Sequence, residues 1–197
     1  MPYIAMLVAP ANFRDEELLG PRAVFERHGY DVKIVSKNAM EPTAKGSRGA
    51  TVDIDMDVKE CKAADCVAVV FVGGQGSKIF HLDRAAWRLA NEVYDHGKPV
   101  AAICHASTTL ANAGLLGGKR CTGWPSEREA IMEKGGNYTG KGVEVDQRIV
   151  TAKGPDDAAR FAEEIIKLLG GEKPEREALE RHKEGEGQHR RKGRGLY

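Results

Sequence analysis

No stretch of this sequence approaches the roughly 20 apolar residues that a membrane-spanning helix requires, so no bilayer span is expected. Net charge is equally scarce: 30 Lys and Arg stand against 29 Asp and Glu, a formal +1. A chain so near neutrality has no global field to draw in nucleic acid or an acidic membrane, and neither is expected as a partner. Metal-ligand spacing is missing too. The four cysteines are Cys61, Cys66, Cys104 and Cys121, and CKAADC has no second Cys or His pair nearby at ligand spacing. No metal site is expected. The glycine-rich GGQG lacks the full dinucleotide fingerprint and its ribose-binding acid, and GGQGSK lacks the Gly-Lys-Ser/Thr end of a P-loop. No cofactor is expected. Met1 to Pro10 is apolar but has no basic flank and no small-residue cleavage site. It reads as a first strand, so a cytoplasmic protein with reduced thiols is expected.

Short apolar runs alternate with longer amphipathic stretches. The strands are expected at Tyr3 to Ala9, Asp31 to Ser36, Cys66 to Val72 and Pro99 to Cys104. A strand or hairpin is expected within 40–58, and another within 143–151. The run CVAVVFV is almost unbroken and β-branched, as in parallel strands buried on both faces. Helices are expected from Asp15 to His28, Asp83 to His96, Ser107 to Ala113 and Asp156 to Leu169. Leu18, Leu19, Ala23, Val24 and Phe25 give the first its spacing, and Pro21 is expected to start or kink it. Strands alternating with helices of this length imply βαβ units, a mainly parallel sheet and helices on both faces. Sites in such folds form outside the carboxyl ends of the strands. Residues 1–170 are read as one domain. Residues 171–197 hold eight Lys or Arg and six Asp or Glu but only four apolar residues. This stretch is read as a charged, flexible tail with at most a short helix near Pro174 to Lys183.

The segment KPVAAICHASTTLANAG joins a buried strand, a Cys-His pair and a helix start. A sharp turn at Cys104 would place the thiol at a helix N-terminus, where the dipole and free N–H groups stabilise a thiolate. The geometry is that of a nucleophile elbow. The backbone N–H groups of His105 and Gly74 would then form an oxyanion hole. The bland alternative is a small buried hydrophobe ending a strand. The strand-to-helix context and the distant Gly-Gly strand end favour a reactive thiol.

In order and spacing, NFRDEELLGP, VFVGGQG, HGKPVAAICHAS and CTGWPSEREAIMEKGGNYTG resemble the DJ-1/PfpI (ThiJ/PfpI) superfamily, from about Tyr3 to Leu169. The resemblance implies a flavodoxin-like α/β three-layer sandwich and a homodimer or higher homo-oligomer. It implies Cys104 as nucleophile, followed by His105, with Gly74 and His105 donating to the oxyanion. The family places a Glu after the first strand, against the sulfur. An ungapped reading puts Arg14 there, and Asp15, Glu16 or Glu17 would supply the acid from a shifted loop. Glu16 is taken as that acid, with Arg14 and Asp15 binding substrate. The peptidase branch draws a further Glu from a neighbouring subunit, and the matching position is Lys78. Arg14 facing Cys104 would lower the thiol pKa by charge attraction.

Small reactive carbonyls or their protein adducts are therefore the expected substrates, in a glyoxalase or deglycase reaction. The alternatives are a non-enzymatic oxidative-stress sensor or chaperone using Cys104, and a cysteine peptidase or amide hydrolase. Among the other residues, His81 is expected to face solvent at a helix start, with the pocket rim as the alternative. His28 and His96 are read as helix C-terminal cations. Trp124 and Pro125 follow a strand-like piece that could reach the pocket, but Trp124 is read as a core or interface residue, and Cys121 as a resolving thiol if it approaches Cys104.

Overall fold

A computed structural model describes residues 2–37 and 42–171. The expected tail, apart from Gly171, lies outside the described residues. The strands are β1 (Tyr3–Leu7), β2 (Ala11–Phe13), β3 (Asp31–Ser36), β4 (Thr43–Gly46), β5 (Thr51–Asp53), β6 (Met56–Asp57), β7 (Cys66–Phe71), β8 (Val100–Ile103), β9 (Arg120–Cys121), β10 (Asn137–Tyr138), β11 (Val143–Asp146) and β12 (Ile149–Ala152). The helices are α1 (Asp15–Arg27), α2 (Arg84–Asp95), α3 (Ser107–Asn112), α4 (Arg128–Glu133) and α5 (Ala158–Leu168).

Seven strands form the central sheet in the order β11-β12-β8-β7-β1-β3-β6. Every pairing in it is parallel except β11 with β12. β1, β7 and β8 are near its centre, and β1 and β8 are buried along their whole length, as is β7 apart from Val67. That explains their lack of polar alternation: residues on both faces meet a helical layer. One face packs Phe71, Leu89, Val93 and Leu110 with α2 and α3. The other packs Val70, Ile103, Phe25, Phe161 and Ile165 with α1 and α5. The result is the expected three-layer α/β sandwich.

Two expectations about α1 are corrected. Pro21 does not start it, because the helix begins at Asp15 and runs to Arg27 with Pro21 inside and buried. Leu19 and Ala23 do not face the core: both are exposed, while Glu17, Leu18, Pro21, Val24 and Phe25 are buried. The 40–58 region forms an antiparallel β4–β5 hairpin joined to β2 in a separate small sheet. Residues 38–41 within it are not described. Among the described residues no helix is long and apolar enough to cross a membrane.

Candidate active site

The carboxyl ends of β1, β7 and β8 converge on one point. β8 ends at Ile103, and the chain turns at Cys104 with φ of +62° before a short 3-10 turn leads into α3. A non-glycine residue in the left-handed region carries strain, and such strain gathers at functional sites. Here it aims the sulfur outward from the strand end. Cys104 remains only 5% exposed, yet it lines a cavity of about 550 Å³ with Asn12, Arg14, Glu17, Ser47, Gly74, Gln75, His105, Trp124 and Pro155.

Gly74 follows β7 and has φ of +90°. A Cβ there would sit 2.5 Å from the Arg14 backbone nitrogen and 2.7 Å from the Asn12 carbonyl oxygen. A Cβ on neighbouring Gly73 would collide with the Glu17 carboxylate and with Cys104. Only glycines let this turn approach the other two strand ends so closely. The N–H groups of Gly74 and His105 both face the Cys104 sulfur, where they favour its anion. Gly74→Ala should cost about 1–3 kcal/mol of stability by straining the turn. It should also weaken thiolate stabilisation; thermal unfolding and Cys104 alkylation measured side by side would show both losses.

Glu17, in the first turn of α1, is fully buried beside Cys104. Neither carboxylate oxygen has a well-formed hydrogen bond among the described residues. The Cys104 thiol and Gly73 N–H are nevertheless near enough to favour the carboxylate. Burial outweighs them and pushes the Glu17 pKa up to about 7. The Cys104 thiol is pushed up to about 12, first by burial and then by the negative charge of Glu17, against the pull of the two N–H groups. This corrects the expectation of a thiol pKa lowered by a helix terminus and Arg14: burial of the thiol, and then the carboxylate at the sulfur, reverse it. Arg14 acts on the acid, favouring Glu17 ionisation. Cys104 and Glu17 are best described as one pair that gives up its first proton near pH 7 and its second far above it.

The other acids lie elsewhere. Glu16 is exposed and bonded to Arg14 at 2.8 Å, with Arg48 at 3.3 Å on its other oxygen. Asp15 is buried and accepts the backbone N–H groups of Arg48 and Ala50 at 2.9 and 2.7 Å. It ties the β4–β5 hairpin to α1 and does not line the cavity. Arg14 does line it, and its own N–H donates to the Gly73 carbonyl at 3.1 Å.

His105 brings Nδ1 to 3.3 Å from the Cys104 sulfur and Nε2 to 2.8 Å from the Gln75 amide nitrogen. With Gln75 donating to Nε2, the ring proton sits on Nδ1, facing sulfur. Burial lowers the His105 pKa and so favours the neutral ring, opposed by the charge of Glu127. Glu127 is an acid that the sequence reading did not single out. It is buried, accepting from Thr108 at 2.7 Å and Ser126 at 2.9 Å. Burial would raise its pKa, but these hydroxyls and the nearby His105 and His81 bring it below the ordinary value.

His81 is half-buried, and its Nε2 meets the His105 carbonyl oxygen at 2.9 Å. It sits behind the elbow, neither at the rim nor in solvent, because its own carbonyl also holds Trp87 and Asn112. Trp124 is 40% exposed, tilts against the His105 ring at 5.9 Å and walls the cavity. Of the core and interface placements read for Trp124, the core placement is thus corrected. Cys121 packs with the α2–α3 face, whereas Cys104 packs with the α1–α5 face.

A family model described as the DJ-1/PfpI family matches residues 3–168. The chain belongs to the DJ-1/PfpI family. A ThiJ/PfpI domain protein from Brachyspira murdochii has a solved structure similar to this one. Its TM-score is 0.82 at 32% identity, covering 85% of this chain and 96% of that one. Among curated relatives, Protein/nucleic acid deglycase 2 of Escherichia coli is 31% identical, over 85% of this chain and 97% of its own. A Bacillus subtilis relative, provisionally named the cysteine protease YraA, is 34% identical over 84% of this chain and 97% of its own. Arg14, expected against the sulfur, lines the cavity, while α1 delivers Glu17 to the sulfur from one turn further on. Lys78 is exposed, and its charge lowers the pKa values of His81 and His105. Among the described residues no group of three or more His, Cys, Asp or Glu could hold a metal ion.

Proposed function

We propose that this protein is a cysteine-dependent enzyme that converts small reactive carbonyls, or their early protein adducts, in a glyoxalase or deglycase reaction. The carrying observation is the buried Glu17 carboxyl beside a strained, outward-turned Cys104. In this reading the Cys104 thiol gives its proton to Glu17 and the sulfur adds to the aldehyde carbon. The resulting oxyanion takes the N–H groups of Gly74 and His105. Glu17 then moves protons between sulfur, oxygen and carbon, a task suited to an acid with a pKa near 7. For a 2-oxoaldehyde, transfer of hydrogen from the aldehyde carbon to its neighbour leaves a thioester on Cys104. Water releases it as a 2-hydroxy acid. The name of the E. coli relative supports this reading, and the cavity is large enough for a small carbonyl.

Incubation with methylglyoxal tests the proposal directly. Lactate should accumulate over many turnovers, and arginine-bound early adducts should be reversed. Stoichiometric loss of methylglyoxal without lactate would contradict it. The name of the B. subtilis relative supports a second reading, peptide hydrolysis. Cys104-dependent cleavage of fluorogenic peptides at a rate exceeding lactate formation would favour that reading.

A further inference from the structure

At the opposite end of the sheet, a second sulfur cluster takes no part in this chemistry. Cys66 opens β7, and Cys61 lies in the loop after β6, with a 3-10 turn at Ala63–Asp65 between them. Their sulfurs are 3.7 Å apart. The Tyr3 hydroxyl is 3.7 Å from the Cys61 sulfur and donates to the Met56 sulfur at the same distance. Lys98 bridges the carbonyls of Ala63 and Ala64 at 3.0 and 3.2 Å, fixing an ammonium beside the turn. Both cysteines are reduced and buried.

We propose that Cys61 and Cys66 are a dithiol–disulfide couple, closed by hydroperoxides independently of Cys104. A disulfide needs its sulfurs at about 2.05 Å, so closure draws them together by less than 2 Å from the observed separation. The backbone is built to yield there. β7 is irregular at this point, with Tyr3 paired to Cys66 and Ile4 to Ala68, leaving Val67 out of register. Cys66 can therefore shift without breaking the ladder beyond it.

The Cys61 thiolate attacks the outer oxygen of the hydroperoxide. The S–O bond forms, the O–O bond breaks, and an alcohol (water, for hydrogen peroxide) leaves with a proton. The Cys66 thiolate then attacks the Cys61 sulfur. The S–S bond forms, the S–O bond breaks, and hydroxide leaves with a proton as water. In sum, two thiols and one hydroperoxide give one disulfide, one alcohol and one water. The proton affinities suit this order. The Cys66 thiol holds Cys61 below the ordinary range, burial opposes this, and the Tyr3 hydroxyl adds to it. Cys66 is pushed up mainly by its hydrogen bond with Cys61, and then by burial. Oxidation of Cys61 removes the first cause, while the Lys98 charge continues to favour the Cys66 thiolate.

The full chain, freed of reductant, would be treated with a small excess of hydrogen peroxide. It would then be denatured in N-ethylmaleimide, digested with trypsin and read by mass spectrometry. Trypsin cuts after Lys59, Lys62 and Lys78, so Cys61 and Cys66 fall on peptides 60–62 and 63–78. The expected result is a linked pair of these peptides that dithiothreitol dissolves. It should persist in Cys104→Ser and vanish in Cys66→Ser, where Cys61 carries oxygen instead. If Cys66→Ser does not fold, the wild-type protein decides alone. A linked pair formed in native protein supports the couple. A pair formed only after unfolding overturns it, as do free or oxygenated but unlinked Cys61 and Cys66 at a dose that oxidises Cys104.

Discussion

Glu17→Gln should make the protein more stable at pH 8 while removing most of its turnover. The buried Glu17 carboxyl is pushed from the ordinary 4.5 up to about 7. Between those values the folded chain keeps a proton that the unfolded chain has lost. Its stabilising contribution is therefore fully present below pH 4.5 and lost as pH rises through 7. The shift corresponds to about 3 kcal/mol as an upper figure. Gln carries no charge to desolvate, so its advantage should appear above pH 7 and disappear near pH 4. For a domain of this size the melting temperature should rise by about 5–10 °C at pH 8. Turnover should fall about 10²–10⁴-fold, the usual range for a lost proton-transfer group. Thermal unfolding at pH 4 and pH 8, beside lactate formation from methylglyoxal, would check both halves. A variant that is less stable at pH 8, or fully active, would remove Glu17 from the proposed role.

Cys104→Ser should leave the fold and its unfolding temperature nearly unchanged and lower lactate formation by on the order of 10³-fold or more. Serine keeps the size and the strained backbone position. Its hydroxyl is a far weaker nucleophile and has no strong base to ionise it, because a carboxylate of pKa near 7 is poorly matched to an alcohol. The Gly74 and His105 N–H groups remain, so the residual rate would measure what they and the cavity supply without sulfur. Equal lactate formation by wild type and variant would exclude covalent chemistry at Cys104.

The sandwich was legible in the sequence because its central strands are buried on both faces. CVAVVFV and PVAAIC have no polar alternation to confuse with anything else, and glycines punctuate the helices that follow. The elbow was legible because a Cys-His pair stands between such a strand and a helix start. The identity of the acid was harder. Asp15, Glu16 and Glu17 are consecutive on α1, so they point about 100° apart: one bonds the hairpin, one bonds the surface arginines and one lies beside the sulfur. The signal that separates them was present: Glu17, Pro21 and Val24 share the helical face that also buries Leu18 and Phe25. It was masked by Leu19 and Ala23, apolar residues that face outward. Glu127 had no local signal at all, and Trp124 had only its place after a strand-like piece. They reach His105 through a long-range turn, anchored where the Trp124 N–H meets the Cys104 carbonyl at 3.2 Å and the Glu127 N–H meets the Trp124 carbonyl at 2.9 Å.

The account stands on Cys104 and Glu17 sharing a single proton. The alkylation rate of Cys104 by iodoacetamide, followed by mass spectrometry across pH 4 to 10, tests this most directly. Shared titration predicts a rate that rises to a plateau with its inflection near 7, since thiolate paired with protonated Glu17 is a fixed fraction of the singly charged pair. In Glu17→Gln the inflection should move upward. A single inflection near 8.5, the value of an ordinary thiol, that is unchanged in Glu17→Gln would contradict the account.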